Sequence, residues 1–202
     1  KDGVEGVGAI TVKYYDAGGN NVTPKDAGTY TVKIDVAEGD NYSAKDDLSG
    51  GWTFTITKAT LEADKFELKT SNTVVYNGEE QKVVVGPKDG VEGVGAITVK
   101  YSKDGKDVAK DNVVNAGIYT VKIDVAEGTN YSAKSELTDD SWTFTIEKAT
   151  LEADKFELKT PNTVVYNGEE QKVVVGSKDG VEGVGAITVK YYDAGGNNVT
   201  PK

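Results

Sequence analysis

The chain has 202 residues and carries 23 basic against 33 acidic side chains, a formal net charge of −10. Every basic residue is a lysine, and an acidic chain without arginine is poorly suited to nucleic acid or to an anionic membrane surface. Cysteine and histidine are absent, which excludes disulfides, thiolate metal sites, a cysteine nucleophile and the usual general base near neutral pH.

No apolar stretch is long enough to span a bilayer, and no signal peptide is legible, so the reading is of an internal window from a longer protein. Val, Ile, Tyr and Thr dominate the ordered-looking runs and point to strands. Taken in chain order, Gly3-Val4-Glu5-Gly6-Val7-Gly8 has the order G-x-x-G-x-G and precedes a strand. A phosphate cradle needs a helix N-terminus behind it, so this segment reads as a turn. Asp16, Asn20, Asn21 and Asp26 gather oxygen donors around the next turn without the spacing of a calcium loop, and are expected to be solvated. In Gly28–Ala37, Tyr30, Val32, Ile34 and Val36 share one face. In Trp52–Thr57, Trp52, Phe54 and Ile56 share another, as do Trp142, Phe144 and Ile146 further on, which places both tryptophans in a core. Phe66 and Leu68 alternate with charged residues, and LEADKFELK, the best helical candidate, reads as strand. Val83, Val84 and Val85 form a continuous run, expected to be a more buried strand. Asn77-Gly78 and Asn167-Gly168 are turn signals.

Self-similarity is the dominant signal. KDGVEGVGAITVKY begins at Lys1, Lys88 and Lys178; WTFTI begins at Trp52 and Trp142; YTVKIDVAEG begins at Tyr30 and Tyr119. Residues 1–25 and 178–202 are identical, and 61–101 differs from 151–191 only at Ser71/Pro161 and Pro87/Ser177. A repeat of about 90 residues follows. Residues 58–147 read as one complete pass, 1–57 as the C-terminal part of a repeat, and 148–202 as the N-terminal part of a further one.

Short strands separated by turns in a unit of this size define an all-β fold, a β-sandwich. Asp26-Ala27-Gly28-Thr29-Tyr30 and Asn115-Ala116-Gly117-Ile118-Tyr119 resemble the start of strand F in immunoglobulin-like domains, where a tyrosine hydroxyl bonds back to nearby backbone. Val32 stands where those domains carry a cysteine, so packing alone must hold the sandwich.

The full order is K-A-x-L, V-Y-N-G, K-D-G-V-x-G-x-G-x-I-T-V-K-Y, A-G-x-Y-T-V-K-I-D-V-x-E-G-x-N-Y and W-T-F-T-I. It resembles the MBG-type and immunoglobulin-like repeats of large bacterial cell-surface proteins and adhesins. The resemblance implies tandem sandwich repeats on an extracellular surface, and its motifs are scaffold motifs that transfer no catalytic or ligand-binding residue.

The expected function is therefore structural, a stalk, spacer or fibre module rather than an enzyme, with no cofactor. Thr57-Lys58-Ala59-Thr60-Leu61 contains neither Gly nor Pro, so one repeat runs almost directly into the next and bending is limited. The expected partners are neighbouring repeats of the same protein, with no nucleic acid and no membrane insertion in this segment. An adhesive module acting on a glycan or host protein by avidity is the alternative, and Tyr15 and Tyr192, predicted to point outward, are its candidate contacts. A further alternative is self-assembly, in which the front part of one chain completes the back part of another. A load-bearing module without disulfides also suggests a lysine–asparagine isopeptide staple.

Overall fold

The computed structural model describes residues 4–202, so Gly3 of the glycine-rich segment lies outside the described residues. The first sheet contains β1 (Ile10–Tyr15), β2 (Asn21–Val22), β3 (Gly28–Val36), β4 (Lys45–Leu48) and β5 (Thr53–Ile56). β3 is the centre: β1 lies antiparallel on one side with Val12 opposite Ile34, and β5 and β4 share the other side, with Tyr30 opposite Phe54 and Ile34 opposite Leu48.

The same arrangement returns downstream. It is built from β9 (Ile97–Lys103), β10 (Lys106–Val108), β11 (Gly117–Val125), β12 (Lys134–Leu137) and β13 (Thr143–Glu147). Val99 is opposite Ile123, Tyr119 opposite Phe144 and Ile123 opposite Leu137. Asp104 and Gly105, both at positive φ, close the tight β9–β10 hairpin, the conformation that a two-residue turn of this type requires.

In this second copy the preceding segment completes a sandwich. β6 (Phe66–Leu68) pairs with β8 (Val85–Pro87) as a second layer, and β7 (Thr73–Val75) runs parallel to β13 with Val74 beside Ile146. Between the layers lies one core that includes Leu61, Phe66, Val83, Tyr101, Tyr119, Val121, Ile123, Trp142, Phe144 and Ile146. Burying each of the large aliphatic or aromatic side chains contributes about 1.5–3 kcal/mol, enough to hold a sandwich without a disulfide. The architecture is all-β and immunoglobulin-like.

After Lys148 the second-layer elements recur as β14 (Phe156–Leu158) and β15 (Val175–Ser177), followed by a short ribbon of β16 (Tyr191–Tyr192) and β17 (Asn198–Val199).

One expectation is corrected. Val83–Val85 is not a continuous buried run: Val83 and Val85 are buried, Val84 is exposed, and the backbone N–H of Val84 donates to Thr70 Oγ1. The segment is extended with one face covered, so alternation survives inside an apolar run. LEADKFELK, read as strand on its Phe66 and Leu68, does place both in β6, which is entered through a single 3-10 turn at Ala63–Lys65.

Candidate functional site

The tyrosines singled out from sequence take equivalent positions. Tyr30 is buried and its hydroxyl donates to the Asp26 carbonyl at 2.7 Å; that of Tyr119 donates to the Asn115 carbonyl at 2.6 Å. In both, the bond reaches four residues back and ties the loop before the central strand to that strand.

The two tryptophans part company. Trp142 is 4% exposed, whereas Trp52 is 48% exposed. Phe144 and Phe54 differ likewise, at 0% and 43%. The expectation that Trp52 is a core residue therefore fails for the chain as it stands. The reason is the second layer: Leu61, Phe66 and Val83 close over the Trp142 sheet, and among the described residues no equivalent segment lies on the Trp52 sheet.

Tyr15 does not stand free. Its hydroxyl donates to Asp47 Oδ1 at 3.0 Å, and Lys33 Nζ lies 4.7 Å from its ring centre. Tyr192 is exposed. Around Tyr15, Lys13 pairs with Asp35 and Asp47. At the matching place in the second sheet, Lys100 Nζ lies 2.6 Å from Asp124 and 2.7 Å from Glu136, whose other oxygen is 2.9 Å from Lys122. Ser102 stands where Tyr15 does, and Glu136, longer than Asp47 by one methylene, reaches the lysine instead. Asp47 and Glu136 have φ of 53° and 57°, and their N–H groups donate to Asp35 and Asp124. Each sits at a register shift in the edge strand. A charged, bulged edge resists pairing with a stray strand.

Hydrogen bonds from Lys100 to Asp124 and Glu136 hold its ammonium above the ordinary lysine range, and the same bonds hold both carboxyls below theirs. An isopeptide-forming lysine needs the opposite, a desolvated neutral amine. Asp16 and Asp26, expected to be solvated, are engaged separately: Asp16 accepts from the backbone N–H and side-chain amide of Asn20, and Asp26 from Asn130.

That last contact belongs to a densely bonded place where the first sheet meets the following sandwich. The Asn130 amide nitrogen donates to Asp26 Oδ1 at 2.9 Å and to the Glu92 carbonyl at 3.3 Å; its Oδ1 accepts from the Ala27 N–H at 2.8 Å. Its backbone N–H donates to the Gly93 carbonyl, and its own carbonyl accepts from the Ala59 N–H. Ala59 forms a parallel bridge with Tyr131. Lys25 pairs with Glu92 across the boundary, and Lys58, at the start of the second repeat, pairs with Glu127 inside it. The glycine-rich segment supplies the space. A Cβ at Gly128 would lie 2.2 Å from the Gly93 carbonyl oxygen, and one at Gly95 2.2 Å from that of Ala126. These glycines let two loops touch backbone to backbone, which is the role sequence reading missed. Their recurrence opposite E-G-x-N-Y was the available signal.

Pockets in the described residues are shallow and open. One cleft, of about 410 Å³, repeats the junction geometry one repeat later: Asn115, Ala116, Lys148 and Leu151 form one side and Glu182–Gly185 the other. Among the described residues no cluster of His, Cys, Asp or Glu is arranged for a metal ion, and no helix is long and apolar enough to cross a membrane.

The fold and the junction define an immunoglobulin-like repeat. Compared with known families, residues 9–85 match the model of the MucBP domain. That interval runs across Thr57-Lys58, from the first sheet into the second layer of the next sandwich. MucBP domains occur in bacterial surface proteins and are binding and repeat domains, not enzymes. No curated protein and no solved structure matches the chain.

Proposed function

We propose that this chain is a structural stretch of an extracellular bacterial surface protein, a spacer of immunoglobulin-like repeats with 58–147 as one complete repeat and no catalytic role. The observation that carries the reading is Asn130, whose single side chain bonds Asp26 and Ala27 of the preceding repeat and Glu92 of its own. With strands of about ten residues at roughly 3.3 Å each, every repeat adds about 35 Å. Fixed junctions turn that rise into reach rather than coil. The acidic surface keeps neighbouring rods apart.

The test is small-angle X-ray scattering on the 202-residue chain and on Asn130→Ala. A spacer gives a rod-like distance distribution that the variant loses while its repeats stay folded. Equal flexibility in both proteins refutes the reading.

A second reading is favoured by the match at residues 9–85: adhesion to mucin-type glycans, each repeat contributing weakly and the array by avidity. Titration of the chain against mucin O-glycans tests it. Saturable binding that weakens on Tyr192→Ala supports it; none at millimolar glycan removes it.

A further inference from the structure

Asn77-Gly78 and Asn167-Gly168 are the two places, among twelve asparagines, where the next residue is glycine. The spacer reading uses neither. Asn77 and Gly78 are exposed, in the loop that leaves β7. Asn77 Oδ1 accepts the Glu79 N–H at 2.9 Å, and Asn167 Oδ1 accepts the Glu169 N–H at 3.0 Å. Such a bond draws electrons from the side-chain carbonyl carbon and stabilises negative charge that grows on its oxygen. Gly78 has a φ of 85°, and a Cβ built on it would meet only the Tyr76 hydroxyl, 3.9 Å away. Its backbone nitrogen therefore stands beside an activated amide with no side chain screening the approach. Other asparagines differ. The amide nitrogen of Asn20 is held by Asp16, and that of Asn130 by Asp26 and the Glu92 carbonyl. Both are followed by a residue with a Cβ, Asn21 and Tyr131.

We infer that Asn77, and Asn167 in the next copy, are sites of spontaneous deamidation, at which the folded chain acquires new carboxylates. Hydroxide takes the proton of the Gly78 N–H, and the nitrogen bonds to Asn77 Cγ. The side-chain nitrogen leaves as ammonia, taking a proton from water, and a succinimide ring is closed. Water then opens the ring. Attack at Cγ gives aspartate; attack at the backbone carbonyl carbon gives isoaspartate, in which the main chain runs through Cγ. The net change is one water consumed and one ammonia released. Each event adds a negative charge beside Glu79 and Glu80, or Glu169 and Glu170, in a chain already at −10. Isoaspartate also lengthens the main chain in a loop fixed at both ends. The Tyr76 N–H donates to the Glu147 carbonyl, and the Gln81 N–H to that of Val113. The altered turn thus strains the end of the β7–β13 pairing.

The experiment is incubation of the full chain in mildly alkaline buffer at physiological temperature, with peptide mapping by mass spectrometry over time. Asn77 and Asn167 are each expected to gain about 1 Da, the difference between an amide and an acid, and to yield peptides that isoaspartyl methyltransferase labels. Conversion there should run at least about tenfold faster than at asparagines followed by a residue with a Cβ, and should slow as pH is lowered. Asn77→Gln, whose longer side chain cannot close the same ring, should stay unmodified at that position while Asn167 converts as before, with circular dichroism reporting an unchanged fold. A parallel sample unfolded in urea separates the turn from the bare sequence. If the folded chain keeps the Asn77 amide while the unfolded chain loses it, the turn protects the site and the inference falls. It falls equally if neither sample converts, or if conversion is spread evenly over the asparagines. The spacer reading stands or falls separately from each of these outcomes.

Discussion

The side-chain amide of Asn130 stands 2.9 Å from the carboxylate of Asp26, 104 residues away in sequence, and closes the boundary between consecutive repeats. Asn41, its counterpart in the first sheet, donates to the Glu5 carbonyl of the glycine-rich segment, as Asn130 does to the Glu92 carbonyl.

Asn130→Asp replaces the donor facing Asp26 and the Glu92 carbonyl with an acceptor. At neutral pH two carboxylates then face each other, and like charges at this range repel. The expected outcome is a loosened junction, seen as faster amide exchange at Ala27 and Ala59 with the core amides of β11 unchanged. Below the ordinary carboxylate range the protonated side chain can donate again, and protection should return.

Phe144→Ala should destabilise the complete sandwich by about 3–5 kcal/mol, the usual cost of emptying a buried aromatic site. Phe54→Ala, at the same place in the same sequence motif, should leave that sandwich unchanged in dilute solution. Chemical denaturation followed by Trp142 fluorescence, with Trp52→Phe as the common background, distinguishes the two.

Tyr119→Phe removes the donor to the Asn115 carbonyl and nothing else of the ring's packing. A net loss of about 1 kcal/mol is expected, the typical worth of one such bond. Tyr30→Phe should leave Trp142-reported stability untouched.

Asp124 and Glu136 are held below their ordinary values first by hydrogen bonds from Lys100. A depressed folded-state pKa means that the stabilisation is present above the unfolded value and is lost as pH falls through the folded one. Thermal stability should therefore decline from the ordinary carboxylate range, about pH 4, downward. Asp124→Asn should flatten that acid arm. For Lys100, raised above its ordinary 10.5 by the same bonds, the contribution is complete below that value and is lost only as pH climbs beyond it.

Gly128→Ala would place a Cβ 2.2 Å from the Gly93 carbonyl oxygen, a clash with backbone that no side chain can relieve. It should lower the melting temperature and loosen the junction together, because it pushes the loop that carries Asn130 away from the loop that carries Glu92.

The sequence by itself determined the strands, their faces and the repeat. Alternation at Tyr30–Val36 and at Trp142–Ile146 is a local property that side-chain direction along a strand makes readable. The tyrosine bond to a carbonyl four residues back was also legible, because both partners lie in one short motif. Only the tertiary structure decided which copies of a motif are buried. W-T-F-T-I is the same at Trp52 and Trp142, yet one is half-exposed and the other covered, since burial belongs to the facing layer and not to the strand. For the same reason Val84 could not be told from Val83 and Val85, and Tyr15 could not be seen to spend its hydroxyl on Asp47. The Asn130 clamp was hidden because its partners come from another repeat, and hydrogen bonds across such distances in sequence leave no periodic trace.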